Sequence, residues 1–145
     1  MKINVGVIFG GRSVENEISV ITAAQTMAAM NEEKYNIVPI YISKEGRWYT
    51  GDKLRSTDNY RDMKALLASV EEGYFRPAYG DNNLYKVRKP LFGSAVATTI
   101  DVILPCLHGT SGEDGSFDGL IELTGMPYDC PNRIVSAKGI DKIPL

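Results

Sequence analysis

Ile3-Asn4-Val5-Gly6-Val7-Ile8-Phe9-Gly10-Gly11-Arg12-Ser13 is the stretch whose reading decides the fold. Ile3 to Phe9 is nearly all apolar and β-rich, the mark of a strand buried on both faces. Gly10-Gly11 ends it. Beyond the loop, Ser19 to Met30 is rich in Ala and Met and reads as a helix. Its predicted buried face carries Ile18, Ile21, Ala24, Met27 and Ala28, with Ser13 or Ser19 as the N-cap. Ile37 to Ile42 reads as a second apolar strand. A strand, a helix and a strand in succession form a βαβ unit, so the two strands are expected to run parallel.

The pattern is less regular in the middle. Gly46 to Tyr49 reads as a short strand after the turn Lys44-Glu45-Gly46. Tyr60 to Glu72 has helical spacing through Met63, Leu66, Leu67 and Val70. Tyr74-Phe75 and Leu84 to Val87 flank Gly80-Asp81-Asn82-Asn83, which predicts a hairpin at the sheet's edge, where Pro77 and Pro90 are tolerated. Ile100 to Leu107 returns to the core-strand pattern. Ser116 to Thr124 then reads as a helix capped by Ser116 and stopped by Gly125-Met126-Pro127. Tyr128 opens a further short strand, and Ile134 to Lys142 reads as a last helix. The expected class is α/β: a three-layer α/β/α domain with a Rossmann-like parallel sheet and an added edge hairpin. The tail Ile143-Pro144-Leu145 follows an unfinished helix, which predicts that residues 1–145 are one domain of a longer natural protein.

Composition narrows the function classes. The chain has 145 residues, 43% of them hydrophobic and 23% charged, with a net charge of −2. There is no basic excess of the kind that marks a nucleic-acid surface. No run is long and apolar enough to cross a membrane, and the N-terminus enters a strand pattern without a secretory signal, so a cytoplasmic setting is expected. Cys106 and Cys130 are too few for a disulfide framework or a zinc site, and Cys106 reads as a buried small hydrophobe.

Chemistry concentrates in two loops at the carboxyl ends of expected parallel strands, 10–18 and 108–115. The first carries Glu15 and Glu17. The second, His108-Gly109-Thr110-Ser111-Gly112-Glu113-Asp114-Gly115, holds the chain's only histidine. Acids facing a gap suit an ammonium group, while a helix N-terminus suits a carboxylate or phosphate. Together they suit a zwitterion such as an amino acid. Residue by residue, plainer readings stand beside these. Glu15 and Glu17 could favour a helix start, Glu113 and Asp114 could cap the helix from Ser116, and His108 could be a satisfied polar group with no second His or Cys nearby for a metal. The glycines match neither the dinucleotide fingerprint nor a Walker motif.

The combination is more specific than its parts. Gly10-Gly11-Arg12-Ser13-Val14-Glu15-Asn16-Glu17-Ile18-Ser19, followed by Leu107-His108-Gly109-x-x-Gly112-Glu113-Asp114-Gly115, resembles the D-alanine–D-alanine ligases. Gly119, Glu122-Leu123-x-Gly125-x-Pro127-Tyr128, Ser136-Ala137 and Asp141-Lys142 continue the match in the order of that family's amino-terminal domain. The stretch Ile42 to Trp48 looks like the longer ligases, which include the resistance enzymes making D-alanyl-D-serine or D-alanyl-D-lactate. The resemblance implies that Glu15 holds the ammonium of the first D-alanine, with Ile18 against that substrate and His108 near its carboxylate. It implies that Glu113 belongs to the polar network fixing the substrate-side loops, and that Lys142 reaches toward ATP phosphates. Glu15 and Glu113 are the implied catalytic residues, and no metal ligand is assigned.

The implied activity is ATP- and Mg2+-dependent ligation through a D-alanyl phosphate, in peptidoglycan precursor synthesis. The implied small-molecule partners are D-alanine and ATP, with no nucleic acid or membrane, and the assembly that the resemblance implies is a homodimer. The sequence departs from the family's habit at Asn16, where an Arg or similar residue is usual, at Asp118, at Tyr128 to Arg133 and at Lys138-Gly139. The ATP-grasp segment that follows in the family is absent from these residues, which predicts no turnover by residues 1–145 alone. A non-catalytic binding module with the same fold is the rival class.

Overall fold

The computed structural model describes residues 2–12, 14–107, 124, 125 and 127. The elements are β1 (Ile3–Gly10), α1 (Asn16–Ala29), β2 (Tyr35–Ile42), β3 (Trp48–Thr50), two 3-10 turns (Asp52–Arg55 and Thr57–Arg61), α2 (Met63–Ala68), β4 (Glu71–Phe75), β5 (Asn83–Lys86), β6 (Val96–Thr99) and β7 (Val102–Leu107). Among the described residues they form one sheet in the order β6-β5-β4-β3-β2-β1-β7.

The βαβ expectation holds. β1 runs parallel to β2, with Ile3 beside Tyr35 and Gly10 beside Ile42. It also runs parallel to β7, with Val5 beside Val102. β1 takes a parallel neighbour on each side, and its residues are apolar on both faces. Val5, Val7 and Phe9 join the core under α1, together with Tyr35, Ile37 and Tyr41 of β2 and Val102, Leu104 and Cys106 of β7. Ile8 points the other way, into a second cluster with Val38, Ile40, Ile42 and Ile103. This is the period-2 alternation of a strand.

The rest of the sheet is antiparallel. β3 pairs antiparallel with β2 and β4, and β4 with β5, placing Tyr74 opposite Tyr85. The predicted hairpin is therefore present, but one strand in from the expected edge position, because β6 covers β5; aromatic rings pair along it. Tyr74 and Tyr85 stack with ring centroids 5.6 Å apart, and Trp48 meets Phe75 edge-on at 5.8 Å. β6, a strand that the sequence pattern alone does not set apart, pairs with β5 and ends the sheet. Ile100 and Asp101 break the run between β6 and β7, and the Asp101 amide donates to Asn4 O at 2.8 Å.

Two element readings are corrected. The helix expected over Tyr60 to Glu72 is confined to Met63–Ala68. Residues 57–61 wind as a 3-10 turn, and Glu71 already belongs to β4, because the pull of a new strand pair outweighs weak local helical spacing. The buried face of α1 is the second. Ile18 and Ile21 are 54% and 52% exposed, while the core-facing stripe is Asn16, Ser19, Val20, Ala23, Thr26 and Met27. α1 begins after Glu15, so Ser19 lies inside the helix rather than at its cap, and Ser13 lies outside the described residues.

Of the predicted Ser116–Thr124 helix, only Thr124 is described; it is helical and buried. Gly125 follows with a φ of 72°, the left-handed value that stops a helix. The strand at Tyr128 and the helix Ile134–Lys142 lie outside the described residues. No helix among the described residues is long and apolar enough to cross a membrane.

Candidate functional site

The parallel strands β1, β2 and β7 end together, at Gly10, Ile42 and Leu107. The loop after β1 leads through Glu15 into α1. It turns at Gly10, whose φ is 94° and where an added Cβ would run into the Ile42 carbonyl and the Tyr41 ring. Only glycine meets both demands.

Two polar side chains of α1 tie this turn down. Ser19, 0% exposed, accepts from the Gly10 amide at 2.8 Å and donates to the Cys106 carbonyl, joining β1, α1 and β7. Asn16, 2% exposed, donates through Nδ2 to the carbonyls of Gly11 at 2.7 Å and Ile42 at 3.1 Å. Its Oδ1 accepts from the Tyr41 hydroxyl at 2.9 Å. The Gly11 amide completes the link by donating to Ile42 O at 2.7 Å.

Glu15 is the N-cap residue of α1; its carbonyl accepts from the Ser19 amide at 3.0 Å, and its side chain makes no capping hydrogen bond. It is half-buried, whereas Glu17 is exposed. The two acids therefore stand in different surroundings. Glu17 instead accepts from Lys44 Nζ at 2.8 Å, and that hydrogen bond lowers the Glu17 pKa while Glu17 raises that of Lys44. Ile18, on the exposed flank of the helix, is one turn from Glu15. His108, Glu113, Asp114 and Lys142 lie outside the described residues.

A cavity of about 370 Å³ opens beside this loop, between α1, the end of β2 and α2, lined among others by Asn16, Val20, Tyr41, Tyr60, Met63 and Leu67. Burial pushes the Tyr41 and Tyr60 hydroxyls above the usual phenol range, so both stay protonated donors. The Tyr60 hydroxyl donates to Leu54 O at 2.7 Å. Among the described residues, no three His, Cys, Asp or Glu side chains group where they could hold a metal ion.

Sequence reasoning missed Asn16, Ser19 and Tyr41 as parts of this site. A signal was present: Asn16, Ser19, Ala23 and Met27 recur at helical spacing, and polar residues on a buried stripe must find partners.

The fold and the loop define a class: an α/β domain that gathers its polar loops at the carboxyl edge of a parallel sheet core. Residues 4–131 match the family described as D-ala D-ala ligase N-terminus, and the chain belongs to that family. It is 39% identical over 142 residues to the D-alanine–D-alanine ligase of Thermosipho melanesiensis, covering 97% of this chain and 37% of that protein. Identity to the Caldicellulosiruptor bescii ligase is 41% over 143 residues, covering 97% of this chain and 37% of that protein. The chain thus spans well under half the length of these relatives. Among solved structures, the VanG D-Ala:D-Ser ligase of Enterococcus faecalis superposes with a TM-score of 0.70 at 27% identity, covering 88% of this chain and 35% of that one. The Coxiella burnetii D-alanine–D-alanine ligase gives 0.68 at 31% identity, covering 88% and 34%.

Proposed function

We propose that this chain is the substrate-side domain of an ATP-dependent ligase that joins D-alanine to a second amino acid for peptidoglycan precursors in the cytoplasm. The observation that carries the reading is the position of Glu15. It is half-buried, it lies four residues beyond the tied-down Gly10-Gly11 turn, and it opens α1 at the carboxyl edge of β1 in a chain of this family.

In this reading the Glu15 carboxylate accepts hydrogen bonds from the ammonium of the first D-alanine. Such a charge-assisted contact contributes roughly 1.5–3 kcal/mol. Ile18 offers apolar surface to the same substrate, His108 stands near its carboxylate, and Glu113 braces the loops around it. Lys142 is the residue of this chain assigned to ATP phosphates. ATP would transfer its γ-phosphoryl group to the carboxylate of the first D-alanine with release of ADP, and the amine of the second amino acid would displace inorganic phosphate from that carbonyl; Mg2+ would supply neutralisation of phosphate charge. The Mg2+ ligands are assigned to segments of the full-length protein beyond these residues, and the active assembly to a homodimer.

The test is ADP release by the full-length protein with D-alanine, and with D-serine or D-lactate as the second substrate. Wild-type protein should release ADP in a D-alanine-dependent way. Glu15→Gln should raise the KM for the first D-alanine about tenfold or more while leaving the melting temperature unchanged, as expected for loss of one charge-assisted contact. An unchanged KM would remove Glu15 from the role of ammonium acceptor.

A further inference from the structure

Asn16 has no part in the proposed ligand contacts, yet it is among the most buried polar residues described. Its side chain is nearly saturated. Both Nδ2 hydrogens are engaged, by Gly11 O and Ile42 O, and Oδ1 is engaged by the Tyr41 hydroxyl. The bond to Gly11 O closes a staple between the two ends of the loop, since Gly11 begins it and Asn16 follows Glu15. Of the described loop residues between them, Arg12 is exposed and Val14 is 95% exposed.

Tyr41 fixes the staple to the core. Its ring lies 5.5 Å from Phe9 and 5.4 Å from Tyr60, centroid to centroid, the latter edge-on. The hydroxyl thus arrives from an aromatic column spanning β1, β2 and the 57–61 turn. With both Nδ2 hydrogens on carbonyls, Oδ1 is left to face Tyr41, so the amide has one orientation.

We propose that the Asn16–Tyr41 pair is a positioning device that holds the Gly10-to-Glu15 loop, and through it the Glu15 carboxylate, in the geometry that receives the substrate ammonium. This rests on the reading that Glu15 binds that group. Neither residue of the pair touches substrate; each acts through Glu15.

Asn16→Asp is the sharpest probe. It keeps the shape and turns a two-hydrogen donor into an oxygen facing two carbonyls, so attraction becomes repulsion. In the full-length protein it should raise the KM for the first D-alanine about tenfold, with the KM for ATP moving less than about twofold. Tyr41→Phe removes one hydroxyl and should raise the same KM about threefold. Ile40→Val, in the opposite core cluster, supplies the stability control: it should lower the melting temperature and leave the KM alone.

A double-mutant cycle separates positioning from bulk stability. In a Glu15→Gln background, Tyr41→Phe should have no further effect on the KM, because it acts through the carboxylate already removed. Full additivity would overturn the proposal. So would a Tyr41→Phe variant whose only change is a lowered melting temperature, and this variant carries the test if Asn16→Asp does not fold.

Amide exchange in residues 1–145 gives a readout independent of catalysis. Gly11 N–H should exchange about tenfold faster in Tyr41→Phe, with Val7 and Leu104 unchanged. Equal protection at Gly11 would overturn the staple. Wild-type full-length protein lacking D-alanine-dependent ADP release would sink the functional reading, while exchange at Gly11 would still judge the staple itself.

Discussion

Cys106 and Ser19 meet where β7 passes under α1, and they behave in opposite ways. Ser19 spends its hydroxyl on two backbone groups, the Gly10 amide and the Cys106 carbonyl. Cys106 is 4% exposed, and burial pushes its thiol up to about 11, partly opposed by a hydrogen bond with Thr26. Only the thiolate is reactive, so this cysteine should be inert. In iodoacetamide labelling at pH 8 followed by peptide mapping, the Cys106 peptide should react at least about a hundredfold more slowly in folded than in urea-unfolded protein. The linkage has a definite sign. The unfolded thiol ionises near pH 8.5 and the folded one only near 11, so this residue's contribution to stability falls as pH rises across that window and levels off above it. The reading of Cys106 as a small buried hydrophobe was available from its apolar neighbours. The fate of Ser19 was not, since its partners come from β1 and β7, 9 and 87 positions away.

At the scale of elements, α1 shows how a correct helix can be assigned the wrong face. Ile18 and Ile21 draw the eye as apolar, but the helix turns Val20, Ala23 and Met27 toward the sheet. The stripe admits Asn16, Ser19 and Thr26 because each has partners; Thr26 Oγ1 donates to Thr22 O at 2.9 Å. Met27→Ala should therefore cost about 2–5 kcal/mol in urea unfolding, whereas Ile21→Gln should stay within about 0.5 kcal/mol. Equal costs would restore the face that hydropathy alone suggests. The hairpin was legible because alternating aromatics flank a glycine turn. β6 was not, because Val96-Ala97-Thr98-Thr99 is short and becomes a strand by pairing with β5.

At the scale of the whole molecule, β1 and its two parallel neighbours carry the candidate site at one end, and the antiparallel strands β3 to β6 extend the sheet away from it. The Gly10-to-Glu15 loop proposed for the D-alanine ammonium thus follows one of the most deeply buried strands of the sheet. Residues 1–145 cover only 37% of the Thermosipho melanesiensis ligase, so alone they should form no D-alanyl-D-alanine from D-alanine, ATP and Mg2+, by thin-layer or mass-spectrometric detection; detectable product would show that this domain carries the chemistry itself. The amino-acid sequence by itself determined the βαβ core, the glycine turn after β1, the hairpin and the family, because these rest on local periodicity and short motifs. Only the tertiary structure decided that Glu15 and Glu17 part company, that Asn16 staples the loop and that Tyr41 anchors it. Those outcomes depend on which groups from distant strands reach a buried polar atom, and a buried donor or acceptor is costly until a partner is brought to it.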